Sequence, residues 1–125
     1  MSAATELIDP VQFPAAAKPV WGALDGHLTA QQLERVLASM AEKLKLRSGP
    51  SPMVLDCRHM AGYDLDARHA FVDWNKLWRH QVSRVAIITQ NRLYHVVIGA
   101  MSLASGQAMK GFAEEGEALA WATGA

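Results

Sequence analysis

One cysteine, Cys57, is all the sequence holds, so no internal disulfide can form and the stapled, secreted scaffolds are excluded. Net charge is equally scarce: 12 basic and 12 acidic residues cancel to a formal charge of zero. Without a basic block, the attraction that dominates nucleic-acid affinity is missing, which argues against DNA or RNA as a partner. A neutral chain also carries no net repulsion against self-association, which leaves a homodimer open. No long apolar run exists. The longest nearly uncharged stretch, Leu93 to Met109, contains His95, Gly99, Ser102, Ser105, Gly106 and Gln107, and falls short of the ~20 apolar residues of a membrane span. The opening MSAATELIDP has neither a basic n-region nor an apolar h-region, so a cytoplasmic protein is expected. Also missing are a Gly-x-Gly-x-x-Gly after a strand, a Walker lysine loop, His-Glu-x-x-His and Gly-x-Ser-x-Gly. Nucleotide, protease and hydrolase readings lose their usual support, and no cofactor is expected.

What is present is enough for one packed domain: 125 residues, 50% hydrophobic and 19% charged, a balance that favours a globule over a solvated chain. Residues 1–18, with Pro10, Pro14 and the Ala15-Ala16-Ala17 run, read as an extended arm with one short edge strand around Glu6 to Phe13. Residues 19–125 form the domain. Val20, Trp21, Ala23 and Leu24 make a strand that stops at the turn dipeptide Asp25-Gly26, and a helix follows at once. Thr29 caps it, with Gln32 completing a capping box, and Leu33, Val36, Leu37, Met40 and Leu44 recur at the helical interval. Ser48-Gly49-Pro50-Ser51-Pro52 ends that helix, and Met53-Val54-Leu55 is a continuous apolar run of the kind a strand buried on both faces shows.

A second helix begins at Asp64 or Asp66. Its Ala67, Ala70, Phe71, Trp74, Leu77, Trp78 and Val82 fall on one face at about 100° per residue. Its back carries His69, Asp73, Lys76 and His80. Val85-Ala86-Ile87-Ile88 repeats the buried-strand pattern; Leu93, Val96, Val97, Ala100 and Ala104 mark a third helical face closed by Gly106. Met109 to Ala113 is a last strand, followed by a helix with Glu114 and Glu115 at its start and Ala118, Leu119 and Trp121 inward. The order β-(β)-α-β-α-β-α-β-α predicts an α/β fold: a mostly parallel or mixed sheet of about four or five strands with about four helices.

Three stretches in that order, "MVLDCRHMAGYDLDARHAF", "RVAIIT" and "FAEEGEALAWA", resemble matching segments of the SpoIIAA-like STAS/SEC14 family. These are small bacterial domains related in fold to the anti-sigma factor antagonists. "GALDGHLTAQQLERVL" also resembles the family's first strand, glycine and helix, so the similarity spans residues 19–122. The resemblance implies an STAS-like fold and a non-enzymatic regulatory module that binds a protein partner; its SEC14-like side implies a small apolar ligand instead. In the antagonist branch, a Ser or Thr in the loop after the Asp-bearing strand is phosphorylated. Here that loop, Cys57 to Asp64, has no hydroxyl except Tyr63, so the phosphoswitch does not transfer.

Open parallel sheets bind at the carboxyl ends of their strands. That draws attention to two loops, Asp56 to Asp64 and Thr89 to Arg92. Asp56 can orient Arg58 or accept N–H bonds from its own loop, while Asp64 and Asn91 are placed to cap helices. Cys57 and His59 invite a nucleophile-and-base reading, but the rest of a catalytic constellation is missing. His69, Asp73 and His80 share one helix side and make a weak metal candidate without a third anchored ligand. Phe71, Trp74 and Trp78 form a stripe that is either core or the lining of a ligand pocket, together with Met101. Tyr94, Ile98 and Met101 sit off the main stripe of the third helix and make a candidate partner surface. The first reading is a non-catalytic module that binds a protein partner through Asp56, Arg58, His59, Tyr63, Asp64, Asn91 and that helix flank; its rival is a carrier or sensor of a small apolar ligand, and an enzyme using Cys57 or His59 is the third.

Overall fold

The computed structural model describes residues 18–124; the arm expected over residues 1–18, with its edge strand, lies outside them except for Lys18. Ten elements follow in order: β1 (Val20–Ala23), β2 (Gly26–Leu28), α1 (Ala30–Lys45), β3 (Ser51–Asp56), β4 (Met60–Tyr63), α2 (Leu65–Trp78), β5 (Val82–Ile88), α3 (Arg92–Ser105), β6 (Met109–Phe112) and α4 (Glu115–Ala122). The main sheet has four strands in the order β1-β3-β5-β6, every pair parallel. Each crossover therefore steps the same way across the sheet, and the right-handed rule places α1, α2 and α3 on one face. The α/β expectation holds, with the sheet wholly parallel.

Both faces of the sheet are covered, which is why its strands read as unbroken apolar runs. Met53, Leu55, Val85 and Ile87 point toward the three helices, while Val54, Ala86 and Ile88 alternate to the other side and meet Ala118 and Ala122 of α4. Phe112 and Trp121 extend that second core, with ring centroids 5.6 Å apart, and the Arg84 guanidinium lies 5.2 Å from the Trp121 ring.

The helix starts follow their caps to different degrees. At α1, the Gln32 N–H donates to Thr29 Oγ1 at 3.2 Å and the Thr29 N–H donates to Gln32 Oε1 at 3.0 Å, completing the capping box. Of its expected stripe, Leu33, Leu37, Met40 and Leu44 are buried and Val36 is half-buried. Asn91 Oδ1 accepts from the N–H groups of Leu93 and Tyr94 at 2.9 and 3.4 Å, and Gly106, with φ 74°, ends the same helix. Asp64 occupies the capping position of α2 but makes no capping bond. Its Oδ1 lies 2.7 Å from His27 Nε2 instead, which ties β2 to the start of α2.

Three expectations are corrected. The chain does not pass from Asp25-Gly26 straight into a helix, and Cys57 to Asp64 is not all loop: both segments contain a short strand, and β2 pairs with β4 in parallel from Gly26↔Met60 to Leu28↔Tyr63. This ribbon continues the β1–β3 pair, through Leu24 N–H to the Asp56 carbonyl at 3.0 Å and Gly26 N–H to the His59 carbonyl at 2.9 Å. Strands of three and four residues that include glycine carry little local signal; their pairing is a long-range event.

On α2 the buried residues are Ala67, Phe71 and Asn75, whereas Leu77 is 79% exposed and Val82 belongs to β5. Asn75 reads as polar but is enclosed, its Nδ2 donating to the Phe71 carbonyl at 2.9 Å.

On α3 the faces are exchanged. Leu93, Val96, Ala100 and Ala104 are exposed, and Ile98 and Met101, expected on a surface flank, are buried with Ser105. Tyr94 and Val97 are half-buried. Both stripes have helical spacing, and polar residues decide between them. Ser102 Oγ donates to the Gln107 carbonyl at 2.7 Å and accepts from the Met109 N–H at 3.2 Å, which holds that side of the helix against β6.

Truncating Ile88, fully enclosed beneath α4, to alanine is expected to destabilise the fold by about 2–5 kcal/mol. Urea denaturation followed by circular dichroism checks it.

Candidate functional site

The strands separate where the site forms. The Cys57 N–H still donates to the Ile88 carbonyl at 2.9 Å, but beyond it β4 pairs with β2 and leaves β5 behind. On the helical face, α1 lies close to β1 and α3 close to β6, at the two edges, while the main neighbours of α2 are α1 and α3 rather than a strand. A cavity of about 70 Å³ remains between α2 and the sheet.

Leu55 and Ile87 form the floor of this cavity, and Ala67 and Phe71 of α2 its roof. Leu24, Leu28 and Leu33 close the β1–α1 side, and Val97, Ile98 and Met101 close the α3 side. Cys57 and Thr89 stand at the strand ends, and Met60, Tyr63, Tyr94 and Arg68 complete the lining. Tyr63 on β4 meets Tyr94 on α3 edge to face, with centroids 5.7 Å apart, across the gap that the parting strands leave. The volume exceeds the ~10–15 Å³ one water needs and is well below the ~300 Å³ of a drug-sized pocket. It suits a small molecule or the apolar end of a larger one.

The strand-end residues are engaged with one another. Asp56 Oδ1 accepts from the Arg58 N–H at 3.1 Å and from Arg58 Nε at 2.9 Å, and Oδ2 accepts from Arg58 Nη2 at 2.8 Å. The same Nη2 reaches Glu115 Oε1 at 3.2 Å. Hydrogen bonding from Arg58 holds the Asp56 carboxyl below its ordinary 3.8, partly opposed by burial. The pair fastens the end of β3 to the start of α4, a structural latch that occupies both Asp56 and Arg58. At the neighbouring strand end, the Thr89 carbonyl lies 2.8 Å from His95 Nε2; a carbonyl only accepts, so the imidazole proton sits on Nε2.

Cys57 faces the pocket and is 6% exposed, while His59 is exposed to solvent. Burial, with smaller contributions from the carboxylates of Asp56 and Asp25, pushes the thiol from 9.0 to about 12. It is therefore protonated at neutral pH.

Of the other sequence candidates, Phe71, Met101, Ile98, Tyr63 and Tyr94 come together at the cavity. Trp74 and Trp78 do not line it; they stack on each other at 5.3 Å and 12° and pack half-buried against the edge of the core. His69 and Asp73 lie in an outer groove between α2 and α3, and His80 stands past the end of α2. Among the described residues, no three His, Cys, Asp or Glu side chains gather as a metal-ligand set, and no helix is long and apolar enough to cross a membrane. The sequence reading missed Arg68, Ala67, Leu24, Leu28 and Met60. Their contribution depends on α2 standing over the sheet and on the unforeseen β2–β4 ribbon, which periodicity does not report.

A model of the family described as SpoIIAA-like matches residues 20–123. The chain belongs to the SpoIIAA-like family. Among solved structures, this SpoIIAA-like domain is similar to an uncharacterised protein of the DUF3478 family with a SpoIIAA-like fold, from Shewanella loihica PV-4. The TM-score is 0.66, at 21% identity over 82% of each chain. That likeness extends to the fold alone. No curated protein matches the chain.

The raised thiol has two measurable consequences. Native protein at neutral pH is expected to resist iodoacetamide, with alkylation appearing on unfolding in urea. The unfolded chain releases the Cys57 proton near 9.0 and the folded chain only near 12, so rising pH favours the unfolded state within that window. This group costs about 1.4 kcal/mol of stability for each pH unit above about 9. Stability–pH profiles of the wild type and Cys57→Ala should diverge in slope there, the wild type falling faster.

Proposed function

We propose that this SpoIIAA-like domain is a non-catalytic binding module for a small apolar ligand, held between α2, α3 and the parallel sheet. The observation that carries the reading is the apolar cavity itself, roofed by Ala67 and Phe71 over Leu55 and Ile87. An unfilled space in a protein interior forfeits dispersion contacts and carries a stability cost. Tyr63 and Tyr94 stand where a ligand would pass, on two elements that no shared strand pairing holds together. With Cys57 buried and protonated, its thiol lends no support to catalysis at this site.

Octanol is expected to bind the purified full chain, with amide shifts in NMR spectra concentrated at Leu28, Leu55, Phe71, Ile98 and Met101. Ala67→Leu extends a side chain into the cavity and should abolish those shifts without lowering the melting temperature. Octanol that leaves the spectrum unchanged, or acts equally on both proteins, overturns the proposal.

A second reading, a protein-partner surface, draws on a different observation. The outer face of α3 leaves Leu93 74%, Val96 72% and Leu103 88% exposed. A second copy of the chain is the occupant argued for, because zero formal charge sets no net repulsion against it. Sedimentation across a concentration series should then show a dimer that Leu103→Glu dissociates; a monomer at every concentration removes this reading.

A further inference from the structure

We infer that the pocket takes a small monocarboxylic acid, its apolar tail inward and its carboxylate on the Arg68 guanidinium at the rim. The inference rests on the ligand-binding reading and specifies the ligand's chemistry. Three observations converge on Arg68.

The first is position. Arg68 follows Ala67, which roofs the cavity, and with Met101 it borders both the inner cavity and the outer groove between α2 and α3. Arg68 lines the cavity with its carbon stem, so a ligand seated there and reaching toward the groove passes this side chain.

The second is charge. The other lining side chains are apolar or uncharged at neutral pH, so Arg68 is the single cation of the lining. Among the described residues it also makes no ion pair: the pairs are His27–Asp64, Lys45–Glu42, and Arg58 with Asp56 and Glu115. Asp64, at the capping position four residues before Arg68, is turned to His27 at 2.7 Å.

The third is valence and shape. A guanidinium presents paired N–H donors that match the two oxygens of a carboxylate, and one positive charge balances one negative. The small inner volume limits what enters to a short tail, with the head remaining at the half-buried edge.

The test titrates octanoate, octanol and octyl phosphate separately into the full chain at neutral pH by calorimetry, using wild type, Arg68→Gln and Arg68→Lys. Octanoate is expected to bind the wild type about tenfold or more tighter than octanol, as a charge-assisted hydrogen bond provides. Arg68→Gln should erase that preference, so that octanoate binds this variant no tighter than octanol does, and Arg68→Lys should retain part of it. If octanol binds and octanoate binds no better, or if Arg68→Gln keeps the preference, the role of Arg68 is overturned while the ligand-binding reading stands. Octyl phosphate binding tighter than octanoate overturns the carboxylate assignment. If none of the three binds, the ligand-binding reading fails and this inference with it.

Discussion

Three helices share one face of a four-stranded parallel sheet, and the geometry of that crowding governs the rest of the molecule. Strands about 4.8 Å apart give this sheet a width of roughly 14 Å between its outer axes. Three helices side by side at about 9 Å need roughly 18 Å. The outer two, α1 and α3, settle over the edge strands, and α2 bridges between them with its closest neighbours in the helical layer. Phe71 and Ala67 reach down toward Leu55 and Ile87 without closing the space. The pocket thus arises from strand order: every crossover steps in the same direction, and no helix from this series is diverted to the other face.

The second determinant is the parting of β3 from β5 after Cys57. The β1–β3 ribbon carries on as β2–β4, held by hydrogen bonds from Leu24 and Gly26 to the carbonyls of Asp56 and His59. The main sheet ends there, and the two layers diverge at the point where open parallel sheets commonly bind ligands. The Asp56–Arg58–Glu115 latch and the His27–Asp64 contact lie around this corner. They fasten β3 to α4 and β2 to α2, so residues that look reactive in the sequence act as ties. Tyr63 and Tyr94 meet across the gap without belonging to one element. Side chains on elements with independent supports separate more readily than paired strands do.

Membership of the SpoIIAA-like family accounts for the architecture over residues 20–123 and leaves chemistry to the individual site. Among the described residues, two uncommitted features lie on opposite sides of α3. One is the inner cavity, bordered by Ile98 and Met101; the other is the outer stripe of Leu93, Val96 and Leu103. The polar anchors Ser102 and His95 fix the rotation of that helix through Gln107, Met109 and Thr89. They thereby assign one stripe to the interior and the other to the surface.

Local chemistry was enough to reveal the four strands of the main sheet and the helices between them, the α1 capping box, the Asn91 cap and the Gly106 stop, because each depends on residues within a few positions. The apolar runs Met53-Val54-Leu55 and Val85 to Ile88 likewise announced strands covered on both faces. The small β2–β4 ribbon was not legible, since Gly26–Leu28 and Met60–Tyr63 are strands only through each other. Nor could the sequence choose between the two apolar stripes of α3: Leu93, Val96 and Ala100 recur as regularly as Tyr94, Ile98 and Met101, and hydropathy gives no credit to the serines that bond inward. Arg68 reads as an ordinary solvated arginine until α2 is placed over the sheet. Periodicity specifies which residues share a face, but which face meets the core, and what space remains beneath it, is decided by how many elements must fit over the same strands.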